Sequence, residues 1–385
     1  MGKTRKTCRG ILLLAALLLV SSAASGRAAQ PFGELLGQVP QAAFASGYLS
    51  YADIEALVRA RPGADGPLDG DTEGSRQYRL ATMGVTGGYP DLMMLFMMAE
   101  DVAQATGIDP RAVRQSMEIG QAPFNQAWLT GEIRPSVLEE ALKKKDYGPV
   151  SEAGAAMPLW AADGSLLNAA AIDFARRDMG FLFGGPLGGR WPVAFRDGLA
   201  VASRDTETLK RIASGGGPTL AEQPAVKALL DAAAHAGGGR EGVIVQAYLL
   251  TPGHVWESGG WEVPPPELVL LAQADGEDAS RVVLASYYAD ESHAQALLGS
   301  LKPRLPDAAL ASSGRSLEDL IGQMDGQMES PLVAPAPEGA GVLLLSFRYP
   351  TQAAAAEKNP DAASALPFRA FVTMLLKGDL GWAKP

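Results

Sequence analysis

The sequence predicts an α+β fold in which mixed, mainly antiparallel sheets pack against helices. Apolar runs of strand length occur in clusters, helical patterns follow these clusters, and hairpin turns outnumber the long crossovers that parallel strands need. The chain has 385 residues, of which 47% are hydrophobic and 20% charged, so a disordered polymer is excluded. This length is enough for two or three domains that each bury a core.

The first part of the chain is predicted to be mainly helical. Residues 30–60 carry apolar side chains at helical spacing, and Asp53 is placed like an N-cap. Residues 61–74 are rich in glycine, proline and aspartate, which predicts an exposed loop. A second helix is predicted over residues 91–106, ending at Gly107.

A β-α-β-β order is predicted after residue 124. It consists of a strand at 125–129, a helix at 135–145, and short paired strands near Val150 and at 157–160. This order places a helix beside strands that are neighbours in sequence, as expected for an α+β fold.

An Asp-Gly pair at 197–198 lies between the apolar runs 191–195 and 199–203. Such a pair between two strand-like runs is a strong signal for a β-hairpin. Helices are then predicted from Asp205 and, with Thr219 at a capping position, up to about residue 236.

The second half of the chain has a similar series of elements. Strands are predicted at 243–250, 267–273, 281–288 and 341–349, and helices at 291–304, after Ser316 and at 367–377. The glycines at 237–239 place a boundary between an N-terminal half, 30–236, and a C-terminal half, 240–385. Two related halves are compatible with this order, although their identity is too low to establish a repeat.

The N-terminus has the pattern of a secretory signal peptide over residues 1–29. Four basic residues precede an apolar run at 11–20, and small residues follow it. This run is too short to span a bilayer. Cys8, the only cysteine, precedes the run, so the mature chain is expected to lack thiols. The predicted location is the bacterial cell envelope, either periplasmic or secreted.

The charge of the chain argues against some partners. The net charge is −10, and it becomes −15 when the leader is removed after Ala28. A protein that binds nucleic acid generally needs stripes of Lys and Arg, so no nucleic-acid partner is expected. No segment after the leader is apolar over a length that would span a membrane.

Several turn motifs resemble those of an uncharacterised group of secreted bacterial proteins. The resemblance covers about residues 90–350 and rests on motifs that form turns rather than catalytic sites. These motifs are Gly107-Ile108-Asp109-Pro110-Arg111, Gly120-Gln121-Ala122-Pro123, Gly131, Phe183-Gly184-Gly185-Pro186-Leu187-Gly188 and Pro264-Pro265-Pro266. The resemblance implies secretion and a shared fold, and it implies no activity.

The sequence contains none of the usual short signatures of catalysis or metal binding. The three histidines, His235, His254 and His293, are not spaced like zinc ligands. There is no G-x-S-x-G or S-x-x-K motif. We therefore expect neither a cofactor nor a metal. The sequence does not decide whether the protein is an enzyme, and it favours a protein without catalytic activity.

A cluster of methionines stands out within the second predicted helix. Met93, Met94, Met97 and Met98 are interleaved with other apolar residues, which favours a buried core helix. Two other interpretations are a Cu(I) site and an adaptable surface for a hydrophobic ligand.

The best candidate for an exposed functional loop is the segment 252–266, which is rich in proline and glycine. Arg190 and Trp191, beside a glycine-rich loop, could line the mouth of a pocket. The resulting candidate ligand-binding residues are His254, Trp256, Glu257, Trp261, Glu262, Trp191 and Arg190.

The leading functional hypothesis is an exported envelope protein that acts as a binding or interaction module. Its partner would be an unknown envelope protein or a small or hydrophobic ligand. One alternative is a hydrolase of an envelope polymer that uses two carboxylates, such as Glu257 and Glu262. Another is a hydrophobic-ligand carrier that uses the methionine-rich segment.

Overall fold

Antiparallel pairing joins the strands into one continuous sheet. The computed structural model describes residues 31–65, 72–88, 99–121, 125–151, 155–167, 171–236, 242–256, 263–361 and 363–385. Residues 31–385 form one compact unit. The strands are β1 Tyr48–Asp53, β2 Val113–Ile119, β3 Gln126–Gly131, β4 Tyr147–Val150, β5 Leu159–Ala162, β6 Val193–Arg196, β7 Leu199–Ser203, β8 Val243–Leu250, β9 Leu268–Asp275, β10 Ser280–Tyr288, β11 Gln327–Met328, β12 Leu332–Pro335 and β13 Gly341–Tyr349.

The order of the strands places β1 and β8 side by side in the interior of the sheet. The order is β11-β13-β10-β9-β8-β1-β2-β3-β7-β6-β5-β4, and β12 also pairs with β13. Strands β8, β9 and β10 form one meander, and β13 pairs with β10 on its outer side. Strands β1, β2 and β3 form a second meander, and β7 pairs with β3 on its outer side. The antiparallel α+β fold is therefore confirmed. The division at residues 237–239, which lie outside the described residues, stays a prediction.

Short helices pack on both faces of the sheet. They are α1 Pro31–Leu36, α2 Ile54–Arg59, α3 Glu73–Met83, α4 Ala99–Thr106, α5 Pro135–Lys144, α6 Thr206–Ser214, α7 Pro224–Ala234, α8 Glu291–Leu301, α9 Leu317–Gly322, α10 Gln352–Lys358 and α11 Leu366–Leu376. The Asp-Gly hairpin between β6 and β7 forms as predicted, with Gly198 at φ +75°.

The prediction of a helix over residues 30–60 is wrong for its middle part. Residues Tyr48–Asp53 form β1, which is bonded to β2 on one edge and to β8 on the other. The apolar pattern is compatible with a helix, but pairing on both edges satisfies the backbone groups of this segment inside the sheet. Asp53 still acts as an N-cap, because its Oδ1 accepts a hydrogen bond from the Ala56 amide at 2.8 Å.

Residues 61–65 form a turn in which Pro62, Gly63 and Asp65 are exposed as predicted, whereas the prediction of exposure is wrong for Arg61 and Ala64. Arg61 is 3% exposed and Ala64 is 1% exposed. Residues from Glu73 onward belong to α3. Residues 66–71 lie outside the described part of the chain.

The two faces of the sheet differ in how their cores are divided. Alternate residues along β9 belong to different clusters: Leu270 packs in a large core with α1, α6 and α7, and Leu271 packs against α8 and α11. The second face also carries a separate cluster with α5 and Trp191. Between these two clusters lie buried polar side chains of the central strands, including Ser50, Ser116 and Gln246.

Residues 84–88 lie directly against these central strands on the polar part of the second face. The Gln246 Oε1 accepts hydrogen bonds from the amides of Thr86 at 2.8 Å and Gly87 at 3.3 Å. Ser50 Oγ donates to the Gly88 carbonyl at 3.1 Å. Only a residue without a side chain allows this approach, because a Cβ at Gly87 would lie 2.1 Å from the Tyr51 carbonyl oxygen.

Two sequence predictions cannot be compared with this fold. The leader at 1–29 and the methionines Met93, Met94, Met97 and Met98 lie outside the described residues. Within the described ranges, every helix is too short or too polar to cross a membrane.

We expect the substitution Gly87→Ala to lower the free energy of unfolding by about 1–3 kcal/mol, because the new methyl group would overpack against β1. Gly299→Ala is the matched control, since Gly299 is on α8 and nothing lies within 4 Å of a Cβ there. Urea unfolding of both variants measures the difference. Equal unfolding midpoints for the two variants would contradict the close approach of residues 84–88 to β1.

Candidate functional site

A cleft with a volume of about 500 Å³ lies between α10, α11 and the ends of β9 and β10. We call it the α10 cleft. Its apolar wall consists mainly of Val282, Met324, Tyr349, Leu366 and Phe368, together with the alanines of α10. The polar side chains that line it are Arg61, Gln273, Ser280, Gln323, Asp325, Gln352, Lys358, Asn359 and Ser364. A concave site of this size, mostly apolar with a few polar groups, is typical of small-molecule sites.

The polar wall is part of a chain of hydrogen bonds that begins in the centre of the sheet. Gln246 Nε2 donates to Gln273 Oε1 at 3.2 Å, and Gln273 Nε2 donates to Asp275 Oδ1 at 3.0 Å. Ser280 Oγ donates to the same carboxylate oxygen at 2.6 Å. Gln352 Nε2 donates to Asp275 Oδ2, which joins α10 to this chain.

Asp275 is the charged group behind this wall. Burial raises the pKa of its carboxyl above the usual 3.8, whereas the hydrogen bonds from Ser280, Gln273 and Gln352 lower it by a smaller amount. The direction follows from desolvation, which disfavours the charged form of a carboxyl group. The three donors therefore compensate only part of the loss of water.

Gln352 lines the cleft and carries a buried hydrogen-bond acceptor. The residue is 8% exposed, and its Oε1 has no donor among the described residues. Reversing the amide would turn this oxygen towards the Asp275 carboxylate, where two acceptors would face each other, so Asp275 sets its orientation. A buried acceptor without a donor is unfavourable, and a bound molecule with a hydroxyl or an N–H group could satisfy it.

Arg61 contributes a buried cation to the same cleft. Its Nε donates to Gln77 Oε1 and its Nη2 to the Pro360 carbonyl, both at 2.6 Å, and its Nη1 donates to Ser364 Oγ at 3.4 Å. Burial lowers its pKa, although nearby carboxylates oppose this shift. The guanidinium group thus connects the segment after α2 with the segment after α10.

The outer wall is a strap formed by residues 350–361 and 363–366. Lys358 Nζ pairs with Asp325 Oδ2 at 2.5 Å, and Arg76 pairs with Asp361. The Ser364 amide donates to the Leu80 carbonyl at 3.0 Å. The strap is therefore attached at several points on both sides of the cleft.

The structure places His254 and Trp256 just after the end of β8, and neither is among the residues that line the α10 cleft. His254 Nε2 is 2.9 Å from the Ser46 carbonyl oxygen, and its ring makes an edge contact with Tyr48. Trp256 is buried in the core around α11, and its Nε1 donates to the Leu380 carbonyl at 2.9 Å.

Trp191 lies in a different part of the fold, in the core cluster next to α5, and its partly exposed neighbour Arg190 lies outside that cluster. Trp191 is 2% exposed, and Arg190 lies over the Tyr147 ring and pairs with Asp163 at 3.9 Å. The structure therefore does not bring these two residues together with His254 and Trp256 in one core cluster. The other three candidates, Glu257, Trp261 and Glu262, lie outside the described residues, and ligand binding by the predicted set stays a prediction.

None of the residues that line the α10 cleft is among the binding residues predicted from the sequence. One signal was present in the sequence: Gln246 and Gln273 are single amide side chains inside otherwise apolar strands. A buried amide in such a strand needs partners, so it indicates a polar network. No group of three or more potential metal-binding side chains occurs in the part of the chain that the structure covers.

The chain matches neither a protein-family model nor a curated protein. Among solved structures, low similarity is found to crystal forms I and III of TP0453, each with a TM-score of 0.32 and 8% sequence identity. The two matches cover 84% and 82% of this chain, and 97% and 96% of the respective TP0453 chains. Similarity at this level carries no argument about function.

We expect the wild-type protein to lose stability relative to the Asp275→Asn variant as the pH rises from below 3.8 towards neutral. A carboxyl group whose pKa is raised in the folded state stabilises the fold at low pH, and this contribution is lost as the pH rises through the folded-state pKa. Urea unfolding at a series of pH values measures the difference between the two proteins. Asp307→Asn, at an exposed position, controls for the change in net charge, and a difference that is independent of pH would contradict the expectation.

Proposed function

We propose that this protein is a non-catalytic binding module of the bacterial cell envelope that holds a small, partly apolar ligand in the α10 cleft. The observation that carries the proposal is the pairing of a large apolar wall with the buried acceptor Gln352 Oε1. The ligand would place its apolar body against Val282, Leu366 and Phe368. A hydroxyl, amide or amine group would donate to Gln352.

The location in the envelope is supported by the sequence of the leader alone. A basic segment, a short apolar run and small residues precede the first described helix. The absence of cysteine after Cys8 suits a fold that depends on its core rather than on disulfides. The binding role is supported by the size and lining of the cleft.

The arrangement of the cleft favours binding over reaction. Asp275 lies behind Gln352 and Ser280 and accepts hydrogen bonds from both. Ser280 Oγ donates a hydrogen bond to this carboxylate, and no histidine is among the described residues that line the cleft. The described polar groups therefore form a wall that orients a ligand.

We expect protein purified gently from its own envelope fraction to carry excess mass in native mass spectrometry, and this mass should be lost on denaturation. The Ala355→Trp variant should carry at least tenfold less ligand, because the indole would fill space beside α10. Ala296→Trp is the control, since Ala296 is exposed on α8 outside the cleft.

Two results would contradict the proposed function. One is a wild-type protein that has only its calculated mass and takes up no ligand from an extract of the envelope. The other is excess mass that Ala355→Trp and Ala296→Trp retain equally. The second result would place the ligand at another site, for which His254, Trp256, Glu257, Trp261, Glu262, Trp191 and Arg190 are the residues predicted from the sequence.

A further inference from the structure

We infer that this protein binds the surface of a membrane that contains anionic lipids, through an exposed apolar segment at residues 172–179. We call this segment the Phe174 surface. This interaction is separate from the proposed function, because none of the residues 172–179 lines the α10 cleft. It is indicated by exposed apolar side chains, by the fixed backbone that carries them, and by the cations beside them.

Three large apolar side chains of the Phe174 surface are exposed to solvent. The exposed fraction is 40% for Ile172, 61% for Phe174 and 44% for Met179. Single exposed apolar residues are common on proteins, whereas a group of them marks a site of contact with another molecule or a membrane. These three side chains lie close together in the sequence and form such a group.

The backbone of the Phe174 surface is attached at two points to one tight turn. The Asp173 amide donates to the Gly188 carbonyl at 3.1 Å, and the Asp178 amide donates to the Gly185 carbonyl at 3.0 Å. The approach is close, since a Cβ at Gly188 would lie 2.0 Å from the Asp173 carbonyl oxygen. Because the backbone is already fixed, the exposed side chains are displayed with little loss of conformational entropy on binding.

Two arginines follow Phe174 within the same segment. Arg176 pairs with Asp173 at 3.3 Å, whereas the Arg177 guanidinium carbon lies 4.6 Å from the centre of the Phe174 ring. Among the described residues, no carboxylate forms an ion pair with Arg177. Arg177 therefore adds a positive charge directly beside the exposed ring.

The end of α5 adds further cations beside the Phe174 surface. Lys145 pairs with Asp178, and the exposed Lys143 and Lys144 precede it on the helix. Lys143 Nζ lies over the Trp160 ring at 5.6 Å. Within the described part of the chain, neither Lys143 nor Lys144 has a carboxylate partner.

The charge of this region is opposite to that of the whole chain. The chain has a net charge of −10, whereas residues 143–145 and 172–179 together contain five basic and two acidic side chains. Asp146, which follows Lys145, and Asp101, whose carbonyl oxygen approaches Gly180, reduce this surplus of positive charge without removing it. An anionic lipid surface would therefore attract this region and repel most of the remaining surface.

The shape of the Phe174 surface favours a lipid interface over a protein partner. Every residue from 171 to 177 is exposed, so the segment projects from the fold and does not form a groove. At a bilayer interface, apolar side chains enter the acyl region while arginine and lysine stay beside the phosphate groups. The leader predicts export to the cell envelope, where a membrane is within reach.

Flotation of the full-length mature protein with lipid vesicles tests the inference. Vesicles of phosphatidylethanolamine and phosphatidylglycerol are compared with vesicles of phosphatidylcholine alone. We expect the partition coefficient to be about tenfold higher for the anionic vesicles, because only these attract the cations. Raising the salt concentration from about 0.1 M to about 0.5 M should lower this coefficient about fivefold, since salt screens the attraction.

The variant Phe174→Gln tests the apolar contact. We expect it to lower the partition coefficient for anionic vesicles about fivefold, because the ring no longer enters the acyl region. Leu376→Gln is the matched control, since Leu376 is an apolar residue on α11 that is 78% exposed. Both substitutions are at exposed positions, so equal unfolding midpoints in urea are expected and verify that the fold is unchanged.

The double variant Arg176→Gln/Arg177→Gln tests the charge. We expect it to bind anionic vesicles about as weakly as the wild type binds phosphatidylcholine. Lys227→Gln/Lys302→Gln removes the same charge from exposed positions on α7 and after α8, and it should bind like the wild type.

A single label reports which part of the protein meets the lipid. The mature chain is expected to lack cysteine, so Phe174→Cys provides one site for a dye that brightens in apolar surroundings. We expect this label to brighten on anionic vesicles and a label on Leu376→Cys to stay unchanged.

Several results would overturn the inference. They are equal binding to both kinds of vesicle, an equal loss in Phe174→Gln and Leu376→Gln, and brightening at position 376 without brightening at 174. Absence of binding to pure lipid also overturns it. If vesicles from the envelope fraction then bind the protein and lose this binding after protease treatment, the partner of the Phe174 surface is a protein.

Discussion

The pairing of β1 with β8 is the constraint on which the rest of the structure depends. Their register places Tyr48 opposite Leu250 and Ala52 opposite Gln246. This pairing joins the strands of the N-terminal part to those of the C-terminal part in one sheet. Without it, each part would expose an interior strand as an unpaired edge, and such an edge promotes aggregation. The same contact brings Gln246 to the middle of the sheet, where it organises the polar part of the second face.

The cores on the two faces of the sheet are arranged differently. On one face, the large cluster with Leu270 runs through both parts of the chain. On the other face, the clusters around Phe368 and Trp191 are separate. A polar region between two apolar clusters can satisfy hydrogen bonds inside the protein without breaking either core. The α10 cleft lies at the border of this polar region. There Arg61, from the N-terminal part of the chain, contacts the strap, which belongs to the C-terminal part.

The glutamine network explains how polar groups can be buried here without a large loss of stability. Gln246 accepts hydrogen bonds from the backbone of Thr86 and Gly87 and donates to Gln273. Gln246 and Gln273 therefore each use both ends of the amide group, and satisfied polar groups in a network make the packing more specific. The chain ends at Gln352 Oε1, which lacks a donor among the described residues. This end of the network lies at the wall of the α10 cleft.

The sequence by itself determined the fold class and most of the local elements. The Asp-Gly turn before Leu199 and the N-caps Asp205 and Asp290 act within a few residues, so their signals are visible in the sequence. Only the tertiary structure decided that residues 48–53 form a strand, because the partners that satisfy this strand are β2 and β8. Only the tertiary structure revealed the candidate site, since Arg61 and Ser364 are 303 positions apart in the sequence. Short-range signals specify turns and caps, whereas burial and partnership of polar side chains depend on which distant segments the sheet brings together.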